Sequence, residues 1–190
     1  MKNKMLIVVV EGPSGVGKDS IIKGLIAKRP DFYEKMPSVT NREMREGEAQ
    51  GMPYYFVSTA EFEKMQGAGD IFEWTMRHGT YRGMSYRYIN EIFKRGHVPI
   101  KDCDLIGVNA LKKAYPNRVL TIFVTAPKEQ VRARLSSRGD KEADIEVRLK
   151  DYDNYIKEAG HYDNQVQNIV LDEAIREIDE IIVKAYEALL

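Results

Sequence analysis

A single cysteine, Cys103, is all the thiol chemistry in this sequence, so no disulfide can close within it. A reducing, cytoplasmic setting is therefore expected. Neither sign of charge is in surplus: 29 basic residues balance 29 acidic ones. Proteins that grip nucleic acid or an anionic membrane ordinarily carry a basic excess, so neither partner is expected. No apolar run reaches membrane-spanning length. The run near the start, Met5–Val10, leads into Glu11 without a small-residue cleavage site. It reads as a buried strand rather than a secretory signal. There is no internal repeat, low-complexity tract or linker-like stretch. What remains is 190 residues, 43% of them hydrophobic, which suits one compact domain with a substantial core.

Four short apolar runs read as buried strands: "MLIVVV" (5–10), "GHVPIKD" (96–102), "RVLTIFV" (118–124) and "NQVQNIVL" (164–171). β-Branched residues dominate the first and third. Helical patterns alternate with them at 19–28, 59–69, 85–96, 107–116, 126–139, 143–160 and 172–190. In the second of these, Thr59 is the expected N-cap, with Phe62 and Met65 inward. Strands separated by helices imply βαβ units, hence an α/β fold with a mostly parallel sheet and helices on both faces. Residues 36–84 break the rhythm with Pro37, Gly47, Gly51, Pro53, Gly79 and Gly83 around one short strand-like piece, "YYFVS" (54–58). They read as an insertion at the carboxyl edge of the sheet, where ligand sites of such folds lie.

The stretch "EGPSGVGKDS" (11–20) follows a buried strand and opens an amphipathic helix. It matches the phosphate-binding P-loop pattern at Gly12, Gly17 and Lys18. In that setting the backbone N–H groups of Gly12, Pro13's successors Ser14, Gly15, Val16 and Gly17, and the helix start at Lys18–Ser20, can surround phosphate oxygens. Lys18 adds a point charge for the phosphoryl group in transfer. The next position ordinarily supplies a Ser or Thr hydroxyl to magnesium, and here it is Asp19. Two readings stay open. Asp19 is a first-turn acid that suits the helix dipole, or it is a hard oxygen ligand, direct or through water, for magnesium. Ser20 lies about 100° further round the helix and does not substitute for it.

Other groupings carry chemistry. "TNREMREGE" sets Arg42 and Arg45 three residues apart, a fork for a phosphate if the insertion faces the P-loop. "IKDCDLIG" sets Asp102 and Asp104 on one side of a strand end by the period of two, where an acid near the metal of a P-loop protein sits. "VRARLSSRG" sets Arg134 and Arg138 on one helix face.

"GPSGVGKDS", "SVTNREMREGEAQGMPYYFVS", "FEW…HGTYRG", "DCD" and "RLSSRG" follow one another in the order and spacing of guanylate kinases. The chain resembles that family over roughly residues 5–185. The resemblance implies a P-loop NTPase-type parallel sheet with an inserted, small, mixed GMP-binding subdomain and a helical lid. The implied layout is a core of 1–35, 85–133 and 160–190, an acceptor-binding insertion of 36–84, and a lid of about 134–159. It implies transfer of the ATP γ-phosphate to GMP, with Mg2+ accompanying ATP, in a monomer or homodimer. By the same resemblance, Arg42, Arg45 and Tyr54 hold the acceptor phosphate, and Tyr81 and Arg82 stand beside it. Ser38, Glu73 and Asp104 face the guanine, while Asp102 lies near magnesium and the acceptor phosphate. A carboxylate suits guanine because it accepts two parallel hydrogen bonds from N1–H and the exocyclic amine, a donor pair adenine lacks. Arg134, Arg138 and Arg148 become lid arginines that cover ATP and neutralise the transferring phosphoryl, and Asn168 helps hold adenine.

The sequence departs from the family at Asp19 (usually Ser or Thr), at Arg82 and Met84 in "YRGM" (usually a tyrosine and a hydroxyl residue), and at Ile106 (commonly Gln). Ribose 1,5-bisphosphate phosphokinases resemble the same family and typically carry the "GKDS" seen here, so a sugar-phosphate acceptor is the alternative. Glu48, "GMPYYFV" and Glu73 favour GMP. A non-catalytic, guanylate kinase-like binding domain is a third reading, and Lys18 with Arg42, Arg45 and the lid arginines speaks against it.

Overall fold

The computed structural model describes residues 4–189; the outermost positions of the expected core, 1–3 and 190, lie outside the described residues. In chain order the elements are β1 (Ile7–Glu11), α1 (Lys18–Lys28), β2 (Tyr33–Lys35), β3 (Ser38–Thr40), β4 (Ala49–Gln50), β5 (Pro53–Phe56), α2 (Thr59–Gly67), β6 (Ile71–Arg77) and β7 (Thr80–Ser85). There follow α3 (Tyr86–Lys94), β8 (Val98–Lys101), α4 (Leu105–Ala114), β9 (Val119–Thr125), α5 (Lys128–Ser137), α6 (Glu142–Lys157), a short 3-10 turn, β10 (Asn164–Gln167) and α7 (Leu171–Ala188).

The first sheet runs β10-β9-β1-β8-β2, and every pairing in it is parallel. Its central strand, "IVVVE", is buried at all five positions. That is what two covered faces demand of a parallel strand. Alternation sends Val8 and Val10 to one apolar cluster and Ile7 and Val9 to the other. The first cluster packs under α1 and α7 through Ile21, Ile22, Leu25, Ile178 and Ile182. The second packs under α3 and α4 through Ile89, Ile92, Phe93, Val108 and Leu111. The spacing of Ala174, Ile178 and Ile182 is the four-residue stripe of an amphipathic helix.

A second, mixed sheet, β4-β5-β3-β7-β6, is built from residues 38–85. β3 pairs parallel with β5 and antiparallel with β7. α2 closes one face of it, where Phe62 and Met65 meet Val39 and Ile71. Of its strands, the sequence pattern marks only β5 as a discrete one. β3 and β4 are three and two residues long, β6 exposes Trp74, Thr75, Met76 and Arg77 in succession, and β7 mixes the exposed Arg82 with buried Gly83, Met84 and Ser85. The tight β6–β7 hairpin pairs Arg77 with Thr80. Its two central residues, His78 and Gly79, have φ of 50° and 76°, the left-handed pair that such a loop requires.

The cap of α2 corrects one expectation. Ser58, not Thr59, accepts the Glu61 N–H at 3.1 Å, and Thr59 is the first helical residue. No helix among the described residues is long and apolar enough to cross a membrane.

Candidate active site

The P-loop leaves the buried end of β1 and enters α1, whose N-cap is Gly17 at φ 99°. A side chain at Gly17 would bring a Cβ to 2.5 Å from Asn168 Nδ2, and one at Gly12 to 2.1 Å from the Val124 carbonyl oxygen. Both glycines are therefore dictated by close approach as well as by φ. Lys18 folds back over the loop and donates through Nζ to the carbonyls of Gly12 and, at 3.3 Å, Pro13. Its charge is thus held in the concavity of the loop.

Three expected nucleotide-site residues brace that loop. Asn168 Nδ2 donates to Val16 O at 2.7 Å. Arg134 donates to Val16 O at 3.1 Å and to Asn168 O at 2.9 Å. Asn168 is 2% exposed, and its Oδ1 has no hydrogen-bond partner. Arg148 donates to the Ser14 hydroxyl. Arg138 caps the carboxyl end of α5 and donates to Asp140 at 2.8 Å; Arg148 also lies 3.7 Å from Asp140. The Arg138 hydrogen bond holds the Asp140 carboxyl below the usual range. Arg134 and Arg138 therefore do different things despite sharing the α5 sequence.

Beside the P-loop, between the two sheets, a cleft of about 720 Å³ is lined by Asp19, Ser38, Tyr54, Glu73, Arg82, Met84, Lys101, Asp102 and Asp104 among others. Seven residues proposed from sequence thus line one cleft, and Met84 and Lys101 join them. Asp104 does two jobs, since Oδ1 accepts the Gly107 N–H at 3.0 Å as the N-cap of α4. At one corner the Tyr54 ring lies between two guanidinium groups, Arg42 at 5.1 Å and Arg82 at 5.0 Å. Arg42 is held there by Glu48, which takes both Nη groups at 2.8 and 2.6 Å. Glu48 also accepts the Arg45 backbone N–H at 2.8 Å, so the two arginines of "NREMREGE" are tied together by the acid behind them. Arg45 itself is exposed.

Tyr81 is not brought to the cleft. Its ring stacks on Phe62 at 4.8 Å, in the core of the second sheet. Adjacent residues of a strand face opposite ways, and Arg82 occupies the cleft side.

The electrostatics of the cleft are those of buried carboxylates. Burial, then the Asp104 charge, push the Glu73 carboxyl up, and Lys101 opposes them. Burial pushes the Lys101 ammonium down and the Cys103 thiol up to about 12. Glu11, at the end of β1, is 7% exposed. Burial raises its pKa to about 7; Lys18 opposes that shift, and Asp102 and Asp104 add to it. Sequence reading passed over Glu11 and Lys101. Their signal was a charged residue closing an otherwise apolar strand, in "IVVVE" and "VPIK".

Among the described residues, no group of three or more His, Cys, Asp or Glu side chains is placed to hold a metal. Magnesium that arrives on a nucleotide needs only one or two carboxylates beside the phosphates. Asp19 and Asp102, both on the cleft wall, fit that modest requirement. The whole arrangement offers a phosphate cradle with a lysine, covering arginines, and a second pocket with a cationic corner and an acidic wall.

The family model described as "Guanylate kinase" matches residues 4–185. A guanylate kinase of Symbiobacterium thermophilum is 35% identical over 182 residues, covering 95% of this chain and 86% of that protein. One from Rickettsia prowazekii is 36% identical over 184 residues, covering 96% and 92%. The crystal structure of guanylate kinase from Anaplasma phagocytophilum superposes with a TM-score of 0.68 at 24% identity, over 97% of this chain and 87% of that one; that likeness concerns the fold.

Proposed function

The chain belongs to the guanylate kinase family, and from that premise we propose how its P-loop and cleft divide the work. It transfers the γ-phosphate of ATP to GMP, giving ADP and GDP. The single observation that carries the residue-level reading is the juxtaposition of Lys18's loop with a cleft holding both an arginine–tyrosine corner and Glu73. The sugar-phosphate alternative, which rested on Asp19, is not favoured beside this family membership.

In this reading, ATP lies with its phosphates in the loop Gly12–Ser20. Asn168 and Arg134 stiffen the loop, and the Asn168 Oδ1 remains an acceptor for the adenine end. GMP enters the cleft with its phosphate toward Arg42, Arg45, Tyr54 and Arg82 and its base toward Ser38, Glu73 and Asp104. Tyr81 contributes through packing. The core is 1–35, 85–133 and 160–190, the acceptor unit is 36–84, and the lid is about 134–159. Magnesium, carried by ATP, supplies charge neutralisation at the phosphate oxygens; Asp19 and Asp102 are the side chains that would hold it.

Phosphoryl transfer passes through a loose transition state, so placement and charge stabilisation do most of the work. In this reading Lys18, Arg138 and Arg148 surround the phosphoryl in flight, while Arg134 acts from the loop backbone it braces. No protein nucleophile is required. Arg138 and Arg148 turn from Asp140 toward phosphate as the lid closes, exchanging one anion for another.

The test is ADP release measured with GMP, dGMP, AMP, UMP and ribose 1,5-bisphosphate as acceptors, in the parent and in Lys18→Ala. GMP should be preferred, and the folded Lys18→Ala protein should lose activity by roughly three orders of magnitude, the scale of a lost transition-state charge contact. Preference for the sugar bisphosphate, or normal turnover without Lys18, would refute the assignment.

A further inference from the structure

Lys101 closes β8, on the strand face opposite the core-facing Ile100. Its Nζ donates to the Ser38 hydroxyl at 2.6 Å, and the residue lines the cleft with Glu73. The charges of Lys101 and Glu73 act on each other. Directly across the β6–β7 ladder from Glu73 is Met84, which is 2% exposed and has no hydrogen to donate. The wall around Glu73 therefore offers a carboxylate, a lysine ammonium and the Ser38 hydroxyl, which already accepts from that lysine.

We propose that Lys101 is a specificity-determining residue that reads guanine, donating from Nζ to O6 while the Glu73 carboxylate accepts from N1–H and the exocyclic amine. This rests on the assignment of the cleft to GMP made above. The chemistry is complementary group by group. The six-membered edge of guanine presents acceptor, donor, donor. An ammonium beside a carboxylate presents donor, acceptor, acceptor, because lysine only donates and an ionised carboxylate only accepts. Adenine presents a donor where guanine has O6, so the same ammonium meets an amine and stays unpaired. Lysine has three donors, and the Ser38 bond uses one, leaving two for the base.

Ser38 fixes where the ammonium sits. A four-carbon lysine stem is flexible in the open, and the 2.6 Å bond to Ser38 aims it along the cleft wall. The other cations lining the cleft sit elsewhere. Arg82 stands over Tyr54 at the phosphate corner, Lys35 lies 3.9 Å from Asp19 near the P-loop, and Arg77 stands at the far end of β6, paired with Thr80 beside the hairpin turn. That leaves Lys101 as the cation bound to the base-facing Ser38.

The experiment compares two ligands on three proteins: the parent, K101M and K101R. GMP carries O6 and N1–H, whereas 2-aminopurine riboside 5′-monophosphate keeps the exocyclic amine and lacks both, so each variant is compared with the parent on the same ligand. Affinities for both are measured by calorimetry, kcat/KM for GMP by ADP release, and the fold by thermal unfolding. K101M should lose GMP affinity and kcat/KM by about 100-fold, the scale for a site left without its matched hydrogen bond. Its affinity for the 2-aminopurine nucleotide should change less than about threefold, since no O6 is present to be lost. K101R keeps a donor and should retain more GMP affinity than K101M. Equal losses for both ligands would overturn the proposal by making Lys101 a support for the wall, and unchanged GMP affinity would overturn it outright. A parent protein that does not phosphorylate GMP would remove the assignment of the cleft and this inference with it.

Discussion

Glu48 grips Arg42 with both carboxylate oxygens, at 2.6 and 2.8 Å, and the Arg42 guanidinium in turn lies 5.1 Å from the centre of the Tyr54 ring. The pair thus holds the Arg42 guanidinium against the Tyr54 ring before any ligand enters. The arginine hydrogen bond holds the Glu48 carboxyl down at about 2, so the grip is intact at any neutral pH. Glu48→Gln replaces two acceptors by one. Misplacement of a positioning group by about an ångström costs up to roughly 100-fold, so KM for GMP should rise roughly 10- to 100-fold with kcat nearly unchanged. Steady-state kinetics with GMP varied at saturating ATP measure this. An unaltered KM would make the pair an ordinary surface ion pair.

Glu11 links the site to pH-dependent stability. Burial, as the largest cause, raises its folded pKa to about 7 from the ordinary 4.5 of a glutamate. Between those values the folded state binds more protons than the unfolded chain, so stability falls as pH rises through that window and stays lower above it. The full shift corresponds to about 3 kcal/mol. Glu11→Gln cannot ionise. Urea unfolding should show it more stable than the parent by up to about 3 kcal/mol near pH 8, with the gain vanishing as pH falls toward 4.5. A constant difference across that range would mean that Glu11 does not titrate in the folded protein.

Glu73 sits half-buried on the cleft wall with Lys101 and Asp104 acting on its charge. Glu73→Gln keeps the size and turns one acceptor into a donor that faces a donor of guanine. GMP kcat/KM should fall by roughly two orders of magnitude or more, while IMP, which lacks the exocyclic amine, should lose less. The ratio of the two kcat/KM values is the readout, and an unchanged ratio would place Glu73 outside the base pocket.

How far the sequence reveals this site depends on the range of the interaction that fixes each residue. The P-loop is legible because strand, glycines, lysine and helix follow one another within ten residues and each step has a local physical cause. The parallel sheet is legible for a similar reason: strands covered on both faces show up as apolar runs. The second sheet is mostly illegible. Its strands are short, and β6 carries exposed Trp74, Thr75 and Met76 beside cleft-facing Glu73, which spoils any clean alternation. Tyr81 shows the cost of that: the motif points to it, and strand alternation turns it into Phe62 while Arg82 takes the cleft. Glu11 and Lys101 escape notice because buried charges run against the usual inside–outside rule. Only the meeting of β1, β3 and β8 in space makes them part of one site.

Asp19, the most conspicuous departure in the P-loop, faces the cleft from the first turn of α1 with 75% of its side chain exposed, and Lys35 lies 3.9 Å away. A structural role as a first-turn acid would need no cleft exposure, whereas a hard oxygen ligand for magnesium does. Without the cation, this carboxylate and the ATP phosphates repel each other, and Lys35, at the limit of an ion pair, offsets only part of that. Asp19→Ser restores a hydroxyl and removes the repulsion, so this variant should stay active and bind metal-free ATP better than the parent. Asp19→Ala removes repulsion and ligand together, so it should weaken magnesium-dependent turnover while leaving acceptor preference alone. The parent should therefore show the largest ratio of ATP affinities with and without magnesium, and both variants a smaller one. Calorimetric titration of ATP into the three proteins, with magnesium and with chelator, gives that ratio directly. If it is the same in all three, Asp19 serves only the start of the helix, and magnesium is held by the phosphates and Asp102.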